Sequence, residues 1–106
     1  MNDYSFTLPG SSGRGVLLVH GLTGAPAEMM FLAKRLNKRG FTVHAPQLAG
    51  HCGDYNKLLG TKWSDWLQSV RDGFNKLASQ VDEVSVAGIC AGGALGLALA
   101  AEQPKV

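Results

Sequence analysis

Val16, Leu17, Leu18 and Val19 form an unbroken apolar run between a glycine-rich segment and His20-Gly21. Successive side chains of a strand point to opposite faces, so a strand that is apolar at every position needs cover on both. This selects a sheet sandwiched between helices over a sheet with one wet face. The flanking sequence supplies the other layers. A weakly alternating stretch, Tyr4 to Leu8, precedes the turn-forming Gly10, Ser11, Ser12, Gly13, Arg14 and Gly15. After Gly21, Leu22, Thr23 and Gly24, the residues Met29, Leu32, Ala33 and Leu36 recur at helical spacing. Lys34, Arg35, Lys38 and Arg39 lie near the end of that helix, where cations suit its dipole, and Gly40 stops it. Phe41 to Val43 reads as a second short strand ended by Pro46, and a polar loop is expected from Gln47 to Gly60. Thr61 reads as the cap of a helix whose apolar positions Trp63, Trp66, Leu67, Val70, Phe74 and Leu77 keep the 3.6-residue period. Val84 to Val86 is a third strand, Gly88 to Gly93 turn the chain, and Ala94 to Ala101 is a tightly packed helix ended by Pro104. Strand and helix alternate three times. The prediction is an α/β fold, with a mostly parallel sheet, helices on both faces and right-handed crossovers.

Composition excludes several classes. The 106 residues bound the chain to a single domain, and 45% apolar content allows a core without metal or disulfide. Cys52 and Cys90 cannot make a disulfide framework and lack the spacing of a zinc site, which fits a reducing, cytoplasmic setting. The formal charge of +2 comes from scattered residues such as Lys34, Arg35, Lys57 and Lys62, so nucleic acid is not the expected partner. Met1 to Gly10 carries Asp3 and no apolar run, unlike a secretory signal. Val84 to Ala101 is uncharged over 18 residues, with Gly88, Gly92 and Gly96 at the spacing of packed membrane helices. Only about half of its residues are bulky apolar ones and both flanks lack aromatic anchors, so no membrane span is expected.

In an open parallel sheet, ligands bind beyond the carboxyl ends of the strands. Two segments fall there. One is His20 to Gly24 after the first central strand, and the other is Gly88, Ile89, Cys90, Ala91, Gly92 and Gly93 after the third. The second has the G-x-nucleophile-x-G form of a nucleophile elbow, with Cys in place of the usual Ser. Such a turn brings strand and helix so close that the positions two before and two after the nucleophile cannot carry side chains. A thiol there would lie at a helix N-terminus, where the dipole and free amides favour an anion. The backbone N–H of Ala91 and that of Leu22 are then the candidate oxyanion donors.

With these residues the sequence resembles the α/β-hydrolase superfamily, and within it the bacterial carboxylesterase and monoacylglycerol-lipase branch. The strand into His20-Gly21, Thr23-Gly24, Gly50-His51 after the next strand, the Trp63 to Trp66 helix start and the Cys90 turn carry the resemblance over nearly the whole chain. It implies hydrolysis of a small-molecule carboxylic ester through a nucleophile, His and acid triad, with no cofactor and no metal. Cys90 takes the nucleophile position and the Leu22 and Ala91 amides the oxyanion hole. Cys instead of Ser is similar to dienelactone hydrolases and polyhydroxyalkanoate synthases, so acyl transfer from a thioester is the close alternative. The family's triad His and acid come from later strands, and the sequence ends at Val106, near the expected start of the next strand. Residues 1–106 are thus expected to be one partial α/β-hydrolase domain, and a non-catalytic binding or assembly module is the reading from another class.

Each candidate also has a plainer role. Cys90 can be a small buried hydrophobe, as most free cysteines are. His20 reads as a residue that fixes its own loop, His44 and His51 as strand-end or loop residues, and Trp63 and Trp66 as core packing. Cys52 reads as an ordinary loop thiol. The glycine segments are not nucleotide loops, since neither is G-x-G-x-x-G and no Lys-Ser or Lys-Thr follows. With the sequence ending at Val106, the third strand is expected at a sheet edge and Leu95, Leu97 and Leu99 are expected to lack partners, which favours a homo-oligomer.

Overall fold

A computed structural model describes residues 3–106; Met1 and Asn2, where the segment unlike a secretory signal begins, lie outside the described residues. The elements are β1 (Phe6–Leu8), β2 (Arg14–Val19), a 3-10 turn (Pro26–Met29), α1 (Met30–Lys38), β3 (Thr42–Ala45), α2 (Tyr55–Leu59), α3 (Trp63–Ala78), β4 (Glu83–Gly88) and α4 (Ala91–Glu102). The sheet order is β1-β3-β2-β4. β2 runs parallel to both neighbours, with Val16 opposite Val43 on one side and Ser85 on the other, and β1 joins β3 antiparallel.

The apolar run of β2 divides as its pleat requires. Leu17 and Val19 enter a core with Leu48, Val70, Phe74, Leu77, Val84, Leu95 and Leu99, beneath α3 and α4. Val16 and Leu18 face the other way, toward Met29, Ala33, Val43 and Ala45 beneath α1. Both faces of the central strand are therefore covered, which is the arrangement its sequence demands.

The structure corrects several sequence expectations. The polar loop from Gln47 to Gly60 contains the short helix α2, capped by the Asp54 carboxylate on the Asn56 amide. Five residues are too few to establish a period, so the pattern gave no signal. Lys62, not Thr61, caps α3, and its N–H donates to Asp65. Thr61 instead accepts the Trp66 indole N–H at 2.9 Å and donates to the Leu58 carbonyl. Trp63, expected in the core, is 42% exposed because it opens the helix, ahead of the turns that reach the sheet. α4 begins at Ala91, earlier than expected, so Gly92 and Gly93 belong to the helix.

β4 is the terminal strand of the sheet, as expected, with Ser85 and Ala87 exposed. The leucines of α4 behave differently from the expectation. Leu95 and Leu99 are fully buried against α3 and the sheet, and Leu97 alone of the three is exposed, at 75%. Arg71 of α3 also pairs with Glu102 at the end of α4 through two hydrogen bonds. Among the described residues no helix is long and apolar enough to cross a membrane, and the uncharged run from Val84 is split between a strand and a helix.

The two leucines give a direct check on this packing. Leu99→Ala is expected to destabilise the fold by about 2–5 kcal/mol in urea denaturation, and Leu97→Ala by no more than about 0.5 kcal/mol. Equal losses would mean that α4 is seated differently.

Candidate active site

The turn from β4 into α4 is built on absent side chains. A carbon added to Gly88 would collide with the backbone of Gly92, and one added to Gly92 would strike the carbonyl groups of Val19 and His20 at the end of β2. The first turn of α4 therefore lies directly on the end of the central strand. Between the two glycines, Cys90 is forced to φ 50° and ψ −123°, a conformation that costs a non-glycine residue about 1–3 kcal/mol. The spacing of Gly88 and Gly92 about Cys90 imposes this steric requirement at the positions where it is met. The plainer role for Cys90, a small buried hydrophobe, fails, because Cys90 is exposed.

Ala91 is the first residue of α4, so its N–H has no acceptor within the helix. The Gly92 and Gly93 amides close the turn onto Ile89 and Cys90 carbonyls at 2.8 and 3.0 Å. The second expected donor lies in the turn after β2. That turn abuts the first: the Ile89 amide bonds to the Val19 carbonyl, and a carbon added to Gly21 would sit 3.7 Å from Cβ of Cys90. Leu22 is 45% exposed and Ile89 44% exposed, so apolar surface flanks Cys90.

The direction of the Leu22 amide follows from the group behind it. The Gly21 carbonyl shares a trans peptide plane with that N–H and must point the opposite way. It accepts the Gly24 N–H at 2.9 Å and bonds to Nδ1 of His20 at 2.8 Å. Nε2 of His20 accepts the Leu48 N–H at 3.1 Å, which assigns the proton to Nδ1 and fastens the loop after β3 to the turn after β2. His20 thus fixes its loop, as the sequence suggested, and a second loop besides. His51 is a loop residue that also reaches across: Nε2 accepts the Thr23 N–H at 3.0 Å while Nδ1 bonds to the Ala49 carbonyl at 3.0 Å. Its ring meets His20 edge-on at 5.0 Å and Trp66 at 5.9 Å, so Trp66 braces a histidine as well as the core. His44 is buried on β3 and bonds through Nδ1 to the Thr7 hydroxyl at 2.8 Å. Sequence spacing could not announce these bonds, since His20 and His51 each meet an amide 28 positions away.

Burial lowers the pKa of both His20 and His44, helped by His51 at the first and Lys76 at the second. Cys52, at φ 65°, is half-buried near the Gly24 carbonyl, and burial pushes its thiol up. Beyond Gly24 an apolar cavity of about 360 Å³ is lined by Tyr4, Phe6, Ala25, Ala27, Met30 and Cys52. Among the described residues, no three His, Cys, Asp or Glu side chains converge as a metal site would require.

Comparison with known proteins agrees with this fold. The profile of the Alpha/beta hydrolase family matches residues 16–106, and the chain belongs to that family. It is 41% identical over 92 residues to a thermostable monoacylglycerol lipase of Bacillus sp. (strain H-257), and 39% identical over 95 residues to a carboxylesterase of Bacillus subtilis (strain 168). These alignments cover 87% and 89% of this chain but 37% and 38% of those proteins, so the chain spans well under half their length. A solved structure from work on LipS and LipT, two metagenome-derived lipolytic enzymes, superposes with a TM-score of 0.89 at 33% identity, over 94% of this chain and 40% of that one. Est1E from Butyrivibrio proteoclasticus shares the fold, with a TM-score of 0.76 at 23% identity, over 98% of this chain and 45% of that one.

The histidine shifts set a pH dependence of stability. The unfolded chain takes up protons on His20 and His44 near the ordinary value of about 6.5, whereas the folded chain resists until lower pH. Stability is therefore full above that range and falls as pH drops through it. Urea midpoints measured between pH 7.5 and 5 should decline, with a shallower decline in His44→Gln; a midpoint that rises on acidification would contradict the assignment.

Proposed function

We propose that the protein is a carboxylic-ester hydrolase whose nucleophile is Cys90 and whose oxyanion hole is formed by the backbone amides of Leu22 and Ala91. The observation that carries the reading is the exposed thiol on strained backbone at the start of α4, directly beside the Gly21–Gly24 turn. A non-glycine residue persists in such a conformation where its surroundings over-determine it, and such sites are concentrated in reactive centres. Membership of a hydrolase family and likeness to a lipase and a carboxylesterase support the same chemistry.

In this reading the Cys90 thiol gives its proton to solvent, its thiolate sulfur attacks the ester carbonyl carbon, and the carbonyl π pair moves to oxygen. The Leu22 and Ala91 amides bind that oxyanion. Collapse breaks the bond to the alcohol, which leaves with a proton from solvent, and the acyl group remains on sulfur as a thioester. Water then releases the carboxylic acid and restores the thiol. That last step needs a general base. His20 and His51 use both ring nitrogens on backbone partners, so neither is free for the role. With His20 and His51 so engaged, acylation is expected to be faster than deacylation. Because the acyl-enzyme is a thioester, a second thiol can accept the acyl group, which keeps transfer between thioesters as the alternative activity. A cytoplasmic setting would keep both cysteines as thiols. The exposed edge of β4 would also pair the chain with a second copy of itself.

Mixing the protein with a short-chain nitrophenyl ester should release about one equivalent of nitrophenol, with the acyl mass on Cys90. Cys90→Ala should show neither. A burst of equal size in Cys90→Ala would remove Cys90 from the mechanism, and no burst in the parent would leave the non-catalytic module as the better reading. Light scattering over a wide concentration range should show association; a single monomer species throughout would overturn pairing through β4.

A further inference from the structure

Thr23 is the residue of the Gly21–Gly24 turn least suited to its place. It is β-branched and stands at φ 64°, a region that turns of this kind normally fill with glycine or asparagine. The turn's own Gly24 to Gly21 hydrogen bond does not involve the Thr23 amide. That amide is held from outside the turn, by Nε2 of His51 at 3.0 Å. His51 is in turn oriented by the Ala49 carbonyl on Nδ1 and clamped between the rings of His20 and Trp66. His51 itself is only 2% exposed, so its ring is a fixed acceptor for a turn that lies at the surface.

The consequence is geometric. Two rigid peptide planes meet at the Cα of Leu22. One contains the Gly21 carbonyl and the Leu22 N–H, and is held by His20 and Gly24. The other ends in the Thr23 N–H, and its anchor is His51. Without that anchor the strained Thr23 can relax and carry Gly24 with it, and the Gly24 N–H that holds the Gly21 carbonyl, and so sets the Leu22 amide on the same plane, is displaced. We infer that His51 is a positioning residue of the site: as a neutral acceptor it holds Thr23 in its strained conformation and so preorganises the Leu22 N–H that receives the oxyanion. The inference rests on the ester-hydrolase reading for its catalytic meaning, while the His51 to Thr23 anchor stands apart from it.

The test compares the parent with His51→Ala and His51→Gln, since a glutamine carbonyl oxygen can reach about where Nε2 lies. Two reactions of Cys90 are timed in each: acylation by a nitrophenyl ester, which develops an oxyanion, and alkylation by iodoacetamide, which does not. Hydrogen exchange of the Thr23 amide is followed in parallel. In His51→Ala, acylation should slow roughly 10- to 100-fold while alkylation changes less than about twofold, and Thr23 should lose protection. His51→Gln should recover most of both. A parallel loss of acylation and alkylation would show a merely structural role and overturn the inference, as would unchanged acylation in His51→Ala. If the parent itself is not acylated, the hydrolase reading fails, and the positioning role at the oxyanion hole falls with it. Thr23 exchange would then decide the anchor alone: protection lost in Ala and kept in Gln would retain it, and unchanged protection would remove it.

Discussion

Helix α4 starts against bare backbone. Because Gly88 and Gly92 bring no side chains, the first turn of the helix rests on the end of β2, and the chain between them has room for one strained residue that faces solvent. Everything else in the structure maintains that contact. β2 must be straight and central, which its two-sided burial secures, and β4 must lie parallel beside it over its whole length, as the register from Arg14–Glu83 to Val19–Gly88 shows. α3 must press α4 down onto the sheet, which Val70, Phe74 and Leu77 do from the same core as Leu95 and Leu99. The strain at Cys90 is small beside the apolar burial that enforces it.

The second constraint is polar and buried. Two loops that leave adjacent strands carry backbone amides away from the sheet ladder, and such groups need partners. Two histidines supply them. His20 takes the Leu48 amide and His51 the Thr23 amide, so each loop is fastened to the other across the top of β2 and β3. A neutral imidazole suits this task because it donates from one nitrogen while accepting at the other. Protonation of His20 would turn its acceptor nitrogen into a donor facing the Leu48 amide, and burial, which lowers the pKa of His20, favours the neutral ring.

Much of the fold was legible because it depends on period and punctuation. The unbroken run of β2, the 3.6-residue stripe of α3 and the glycines flanking Cys90 each have one steric solution, and the structure adopts it. The failures have equally local causes. α2 is too short for a period, Thr61 was read as a cap when its hydroxyl serves Leu58 and Trp66, and Leu95 and Leu99 found in α3 the cover that was expected to be absent.

The amino-acid sequence by itself determined the layered α/β class and the position of the strained turn, because both follow from residue type at fixed spacing along the chain. The roles of His20 and His51 were decided only by the tertiary structure. Their partners lie 28 residues distant, and nothing in the local pattern says which loop amides will be left without an acceptor once the strands have paired. A glycine announces a close approach through what it lacks, whereas a histidine announces nothing until the fold brings a donor to its ring.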